Sequence, residues 1–134
     1  MSTAKDEAGF KHKLKQAVDA ALPKFLVLSY VESINGLPDW SVTGNGLTSW
    51  IEFKHATPAF TSRGIQVLTC RRLAAAGRCR YVVFWENKNG DKRTCIVHPL
   101  TVAFGNNPTI SPELFCEGHS NEFVIDFIKK MHKI

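Results

Sequence analysis

The feature that most restricts what this chain can fold into is Gly44-Asn45-Gly46, set between Trp40–Thr43 and Leu47–Lys54. Glycine and asparagine tolerate positive φ, which the tight turn of a β-hairpin demands. The flanking runs are β-branched and aromatic, so they pair as antiparallel strands. Side-chain alternation then puts Trp50, Glu52 and Lys54 on one face of the second strand and Ile51 and Phe53 on the other. Asp39 stands at the mouth of the first strand and Glu52 near the end of the second, so the hairpin folds two carboxylates back toward each other. One face is expected to be core and the other to carry chemistry.

The remaining elements frame that hairpin. Phe10, Leu14, Ala17, Val18, Ala21 and Leu22 recur at helical spacing, predicting a first helix over Phe10–Leu22 that stops at Pro23. KFLVLSYVES reads as a strand closed by a turn at Asn35-Gly36. A second helix through RGIQVLTCRRLAAAG is capped by Thr61 or Ser62, carries an apolar stripe of Ile65, Leu68 and Leu73, and stops at Gly77. RYVVFWENKNGDKRTCIVH gives two strands around Lys88-Asn89-Gly90. Pro99–Gly118 reads as irregular, with one helical turn after Ser111-Pro112. A last helix, capped by Ser120 or Asn121, presents Phe123, Val124, Phe127, Ile128 and Met131 on one side and buries them against its own sheet or a partner.

The order αβββαββα implies an α/β (α+β mixed) class: a central mixed β-sheet flanked by α-helices, in a single domain over residues 1–134. Hydrophobic residues at 44% and charged residues at 22% exclude a disordered or fibrous chain. The longest apolar runs are far too short to span a bilayer, and the N-terminus lacks the apolar stretch of a signal peptide. No membrane association and a cytoplasmic location, in a bacterium or a phage-infected host cell, are expected. Cys70, Cys79, Cys95 and Cys116 form no CxxC pair and read as packing residues in a reducing compartment. Seventeen Lys and Arg against 12 Asp and Glu, for a net charge of +5, favour a polyanionic partner.

Two buried carboxylates repel, and their shared burial costs free energy unless a cation or proton compensates. A divalent metal is one compensation. Oxygen donors suit magnesium or manganese, which keep several waters and take one or two protein carboxylates together with substrate phosphate. Lys54 falls on the Glu52 face, where its ammonium can orient an attacking water or stabilise a pentavalent phosphate. The competing account makes Asp39 a turn cap and Glu52–Lys54 a solvated pair.

Pro38-Asp39, twelve residues, then Glu52-Phe53-Lys54 resembles the signature of the PD-(D/E)XK nucleases. GLPDW followed by WIEFK, with a helix upstream and a Gln66-bearing helix downstream, is similar to the VRR-NUC branch, over roughly Phe10–Trp85. The resemblance implies a restriction-endonuclease-like core akin to that of archaeal Holliday-junction resolvases. It also implies Mg2+ (or Mn2+) as cofactor, hydrolysis of DNA phosphodiesters, and a homodimer. Carried over by position, Asp39 and Glu52 become metal ligands, the Phe53 backbone carbonyl a third, Lys54 the catalytic lysine, and Gln66 a neighbour. An acid of the first helix completes such sites: Glu7 is best placed, with Asp6 and Asp19 competing.

Lys11, Lys13, Lys15, Arg63 and Arg71 are candidate DNA-phosphate contacts, as are Arg72, Arg78 and Arg80. His55 is either a phosphate contact or an ordinary surface histidine; His12, His98, His119 and His132 show no ligand spacing. Ser29 and Ser33 either meet the scissile strand or bond backbone. Trp40, Trp50 and Trp85 read as core or interface residues. The expected activity is a DNA endonuclease selective for branched DNA. The alternatives are a less selective nicking or degradative nuclease, and a non-catalytic binding module on the same scaffold. A symmetric cut across a four-way junction needs two sites related by a two-fold axis.

Overall fold

The computed structural model describes residues 4–31 and 36–134, with side chains from residue 7 onward. Asn35 and Ser33 lie outside the described residues, as does the side chain of Asp6. The elements run α1 (Ala4–Ala21), β1 (Val27–Tyr30), β2 (Trp40–Gly44), β3 (Leu47–Ala56), β4 (Phe60–Ser62), α2 (Gly64–Ala76), β5 (Arg78–Glu86) and β6 (Lys92–Val97). A 3-10 turn at Pro99–Thr101, β7 (Gly105–Asn107), β8 (Leu114–Glu117) and α3 (Asn121–Met131) complete the chain.

Six strands form the central sheet in the order β1-β2-β3-β5-β6-β8, and β4 pairs with β7 in a separate two-stranded sheet. The pairing β3–β5 is parallel and the others are antiparallel, so the sheet is mixed. A parallel pair needs a crossover, and α2 supplies it. The helices flank the sheet on both sides. Leu14, Val18, Trp40, Val42, Ile51, Phe53, Val82 and Ile128 belong to one core cluster, which joins α1 and α3 to the sheet. Val67, Cys70, Cys79, Tyr81, Val83 and Val97 belong to the second, which joins α2 to it. The last helix therefore buries Val124, Ile125 and Ile128 against its own sheet. No described helix is long and apolar enough to cross a membrane.

The hairpin forms where expected. Asn45 (φ 58°) and Gly46 (φ 73°) both take positive φ, and Gly44 pairs with Leu47 across this two-residue turn. A buried histidine pins it. His132 places Nδ1 3.1 Å from the Gly44 carbonyl and Nε2 3.0 Å from the Ser49 hydroxyl, while its own carbonyl accepts from Asn45 Nδ2 at 2.8 Å.

Several expectations need correction. α1 starts at Ala4 rather than Phe10, which brings Glu7 into the helix. Thr61 and Ser62 belong to β4 and do not cap α2; Arg63 takes the N-cap position with no capping side-chain bond. The α2 stripe was misphased: Ile65 and Leu68 are exposed, whereas Gln66, Val67 and Cys70, at helical spacing of their own, are buried. Pro99–Gly118 is not irregular, because β7 and β8 each find a partner strand. The helical turn after Ser111-Pro112 is absent; Glu113 N instead donates to the Ile96 carbonyl at 2.9 Å and leads into β8. The face carrying Glu52 is not free of core either. The crossover lays α2 over it, and Trp50 packs into the second cluster. The order αβββαββα thus gains β4, β7 and β8.

Candidate active site

The hairpin register decides the site. Trp40 stands opposite Ile51, which continues to Asp39 opposite Glu52. The Asp39 amide donates to Glu52 Oε1 at 3.0 Å, and the Phe53 amide donates to Asp39 Oδ2 at 2.9 Å. Each carboxylate thus satisfies an amide of the opposite strand, which holds the pair together at 9% and 3% exposure. Where β2 ends, the edge of β3 would be left unpaired, and acids take the ladder positions. Asp39 serves Phe53 N, and Glu7 Oε2, reaching from α1, accepts from His55 N at 3.2 Å. A strand residue presents its N–H and C=O to the same side. The Phe53 carbonyl therefore faces the edge that Asp39 and Glu7 occupy.

Two lysines neutralise the pair. Lys11 Nζ lies 3.3 Å from Asp39 Oδ1, and Lys54 Nζ lies 3.4 Å from Glu52 Oε2 and 3.4 Å from the Thr61 carbonyl. Lys11 follows Glu7 by four residues, so the two share a helix face. Burial first, and then the charge of Asp39, push the Glu52 carboxyl up to about 8, against the pull of Lys54. Gln66 is buried on the side of α2 turned toward the sheet.

Among the described residues, no group of three or more His, Cys, Asp or Glu is gathered as a metal site. The donors present nonetheless suit a hard cation that retains its waters. Asp39 and Glu52 offer adjacent carboxylate oxygens, the Phe53 carbonyl faces the same edge, and the raised Glu52 carboxyl marks a charge conflict that a divalent ion relieves. Glu7 stands next along that edge, whereas Asp19 pairs with Lys15 at 2.9 Å, exposed on α1.

The other candidates are scattered. Lys13 is exposed on α1, and Lys15 also lies 5.4 Å from the Tyr30 ring centroid. Arg63 is exposed at the start of α2, while Arg71 Nη2 donates to the Val102 carbonyl at 2.8 Å. His55 is buried on the face opposite Lys54, with its ring 4.8 Å from that of Phe10 and 3.9 Å from a Glu86 carboxylate oxygen. A cavity of about 580 Å³ lies beyond the ends of β3 and β5, lined by Thr57, Pro58 and Glu86–Gly90 and separate from the carboxylates.

No family profile matches the chain, and no curated protein matches it. Among solved structures, the chain is similar to Archaeoglobus fulgidus Hjc, a Holliday junction resolvase from an archaeal hyperthermophile. The identity is 13%, 95% of each chain is covered, and the TM-score is 0.49.

Proposed function

We propose that this protein is a metal-dependent DNA endonuclease that hydrolyses phosphodiester bonds and prefers branched DNA. The observation that carries the reading is the reciprocal lock of Asp39 and Glu52 with Lys54 on the Glu52 carboxylate. A buried acid pair is costly to keep, and such perturbed groups collect at functional sites.

Asp39, Glu52 and the Phe53 carbonyl are the residues to hold Mg2+ or Mn2+, with Glu7 beside them. When bound, the ion lowers the pKa of water and offsets charge on phosphate oxygens. The protein's own groups do the rest. The amides of Asp39 and Phe53 fix the carboxylate rotamers, so the acids are oriented before substrate arrives. Lys54, held between Glu52 and the Thr61 carbonyl, directs its ammonium at the developing charge of the phosphoryl centre. Lys11 pairs with the Asp39 carboxylate and adds positive potential for DNA. Gln66, buried on α2, is assigned to the same site as a neighbour of the acids. The +5 charge supports a polyanionic substrate, and a homodimer supplies the second site that a symmetric cut across a junction requires.

The test is cleavage of a synthetic four-way junction and of a matched linear duplex in magnesium or manganese. The protein is expected to cut the junction faster. Lys54→Ala should slow the cut by roughly a hundredfold or more with folding retained. Junction and duplex cut at equal rates would remove the branch preference, and absence of any cut would remove the nuclease.

A further inference from the structure

Phe104 is 72% exposed, more than any other large apolar side chain among the described residues, yet it does not sit on a loose loop. Asn107, itself buried, clamps the tip that carries it. Asn107 Oδ1 accepts from Ala103 N at 2.9 Å, and Nδ2 donates to the carbonyls of Ala103 at 2.9 Å and Gly105 at 3.1 Å. Arg71 ties the preceding Val102 carbonyl to α2. Gly105 takes φ +96°, which turns the chain sharply after the ring. The inner edge of the ring rests on Gly64, where an added Cβ would come within 3.2 Å of it. Buried Asn107 and half-buried Arg71 therefore brace the loop that carries a ring left in water.

The strand pair that carries the ring is tied to the site lysine. β4 pairs with β7 through Thr61↔Asn106 and Ser62↔Gly105, and Lys54 bonds the Thr61 carbonyl. Phe104 immediately precedes β7, and its ring meets Gly64, two residues after β4 ends at Ser62. Exposed Arg63 immediately precedes Gly64, the residue the ring rests on. An exposed flat ring on a braced loop, with an exposed arginine one residue from its support, matches a nucleobase with its phosphate.

We infer that Phe104 is the stacking platform for an unpaired nucleobase next to the cut phosphate, with Arg63 on the neighbouring phosphate. The inference rests on the DNA reading above and assigns its branch preference to one residue. In an intact duplex every base already has stacking partners, so the ring gains nothing. At a branch or mismatch a base is free to swing onto it.

Binding separates this from catalysis. With magnesium removed by chelator, the whole protein is titrated into a four-way junction carrying 2-aminopurine beside the branch, and into a linear duplex of the same sequence. Phe104→Ala is expected to weaken junction binding about tenfold and to abolish the fluorescence change, while duplex binding shifts less than twofold. Phe104→Leu, which keeps the apolar bulk, should also lose the fluorescence change, and Phe104→Trp should restore it. Equal losses on both DNAs, or none, would overturn the inference. So would a Phe104→Ala protein that sediments as a smaller species than the parent, since the ring would then be an interface between copies of this chain. A protein that binds junctions through Phe104 but cuts nothing would uphold the platform and refute the nuclease.

Discussion

Glu52 carries the sharpest consequence at the scale of single residues. Burial, and then the Asp39 charge, push its carboxyl from an ordinary 4.5 up to about 8 in the folded protein. Between those values the folded state holds a proton that the unfolded chain has lost. The stability from this group is therefore complete in acid and drains away as pH rises toward about 8. The slope is at most about 1.4 kcal/mol per pH unit. In chelator, thermal unfolding is expected to show a Tm that falls between about pH 5 and about pH 8, and Glu52→Gln should flatten that fall. Identical profiles for parent and variant would mean that the acid pair is not in conflict. Asp39, Glu52 and Lys54 were legible from the sequence because a strand's period of two and a two-residue turn leave little freedom in where their side chains go. Lys11 was read as a phosphate contact, and its pairing with Asp39 depends on how α1 crosses β3, which no local pattern encodes.

At the scale of elements, the hairpin that aligns the two acids is held from a distance. His132, at the end of α3, bonds Gly44, and through Ser49 it bonds the strand that bears Glu52. His132→Ala removes the bonds to the Gly44 carbonyl and to the buried Ser49 hydroxyl and opens a void, so a loss of about 3 kcal/mol is expected in denaturant unfolding. A loss under about 0.5 kcal/mol would show that the turn holds itself without this bolt. Nothing in the sequence marked this histidine, because its partners lie more than eighty residues away. The short strands β4, β7 and β8 were missed for a related reason. Segments of three or four residues carry almost no periodicity, and only pairing with distant partners makes them strands. Helix α2 was placed correctly but turned wrongly, since Ile65 and Leu68 imitate a core stripe while the polar Gln66 occupies the true one.

For the whole molecule, the mixed sheet flanked by helices followed from the alternation of element types, and the positive charge from composition. What the sheet does depends on the ion it is proposed to hold. Magnesium or manganese at about ten times its dissociation constant should stabilise the protein by about 1.4 kcal/mol, read as a Tm higher by several degrees at pH 8. Asp39→Asn should abolish that rise, and an equal rise in the variant would place the ion elsewhere. The most direct test of the central claim, that the hairpin acids are the hydrolytic centre, is junction cleavage in magnesium by the parent and by folded Glu52→Ala. The account predicts that the parent cuts and that the variant is slower by roughly a thousandfold or more; undiminished cutting by the variant would contradict it.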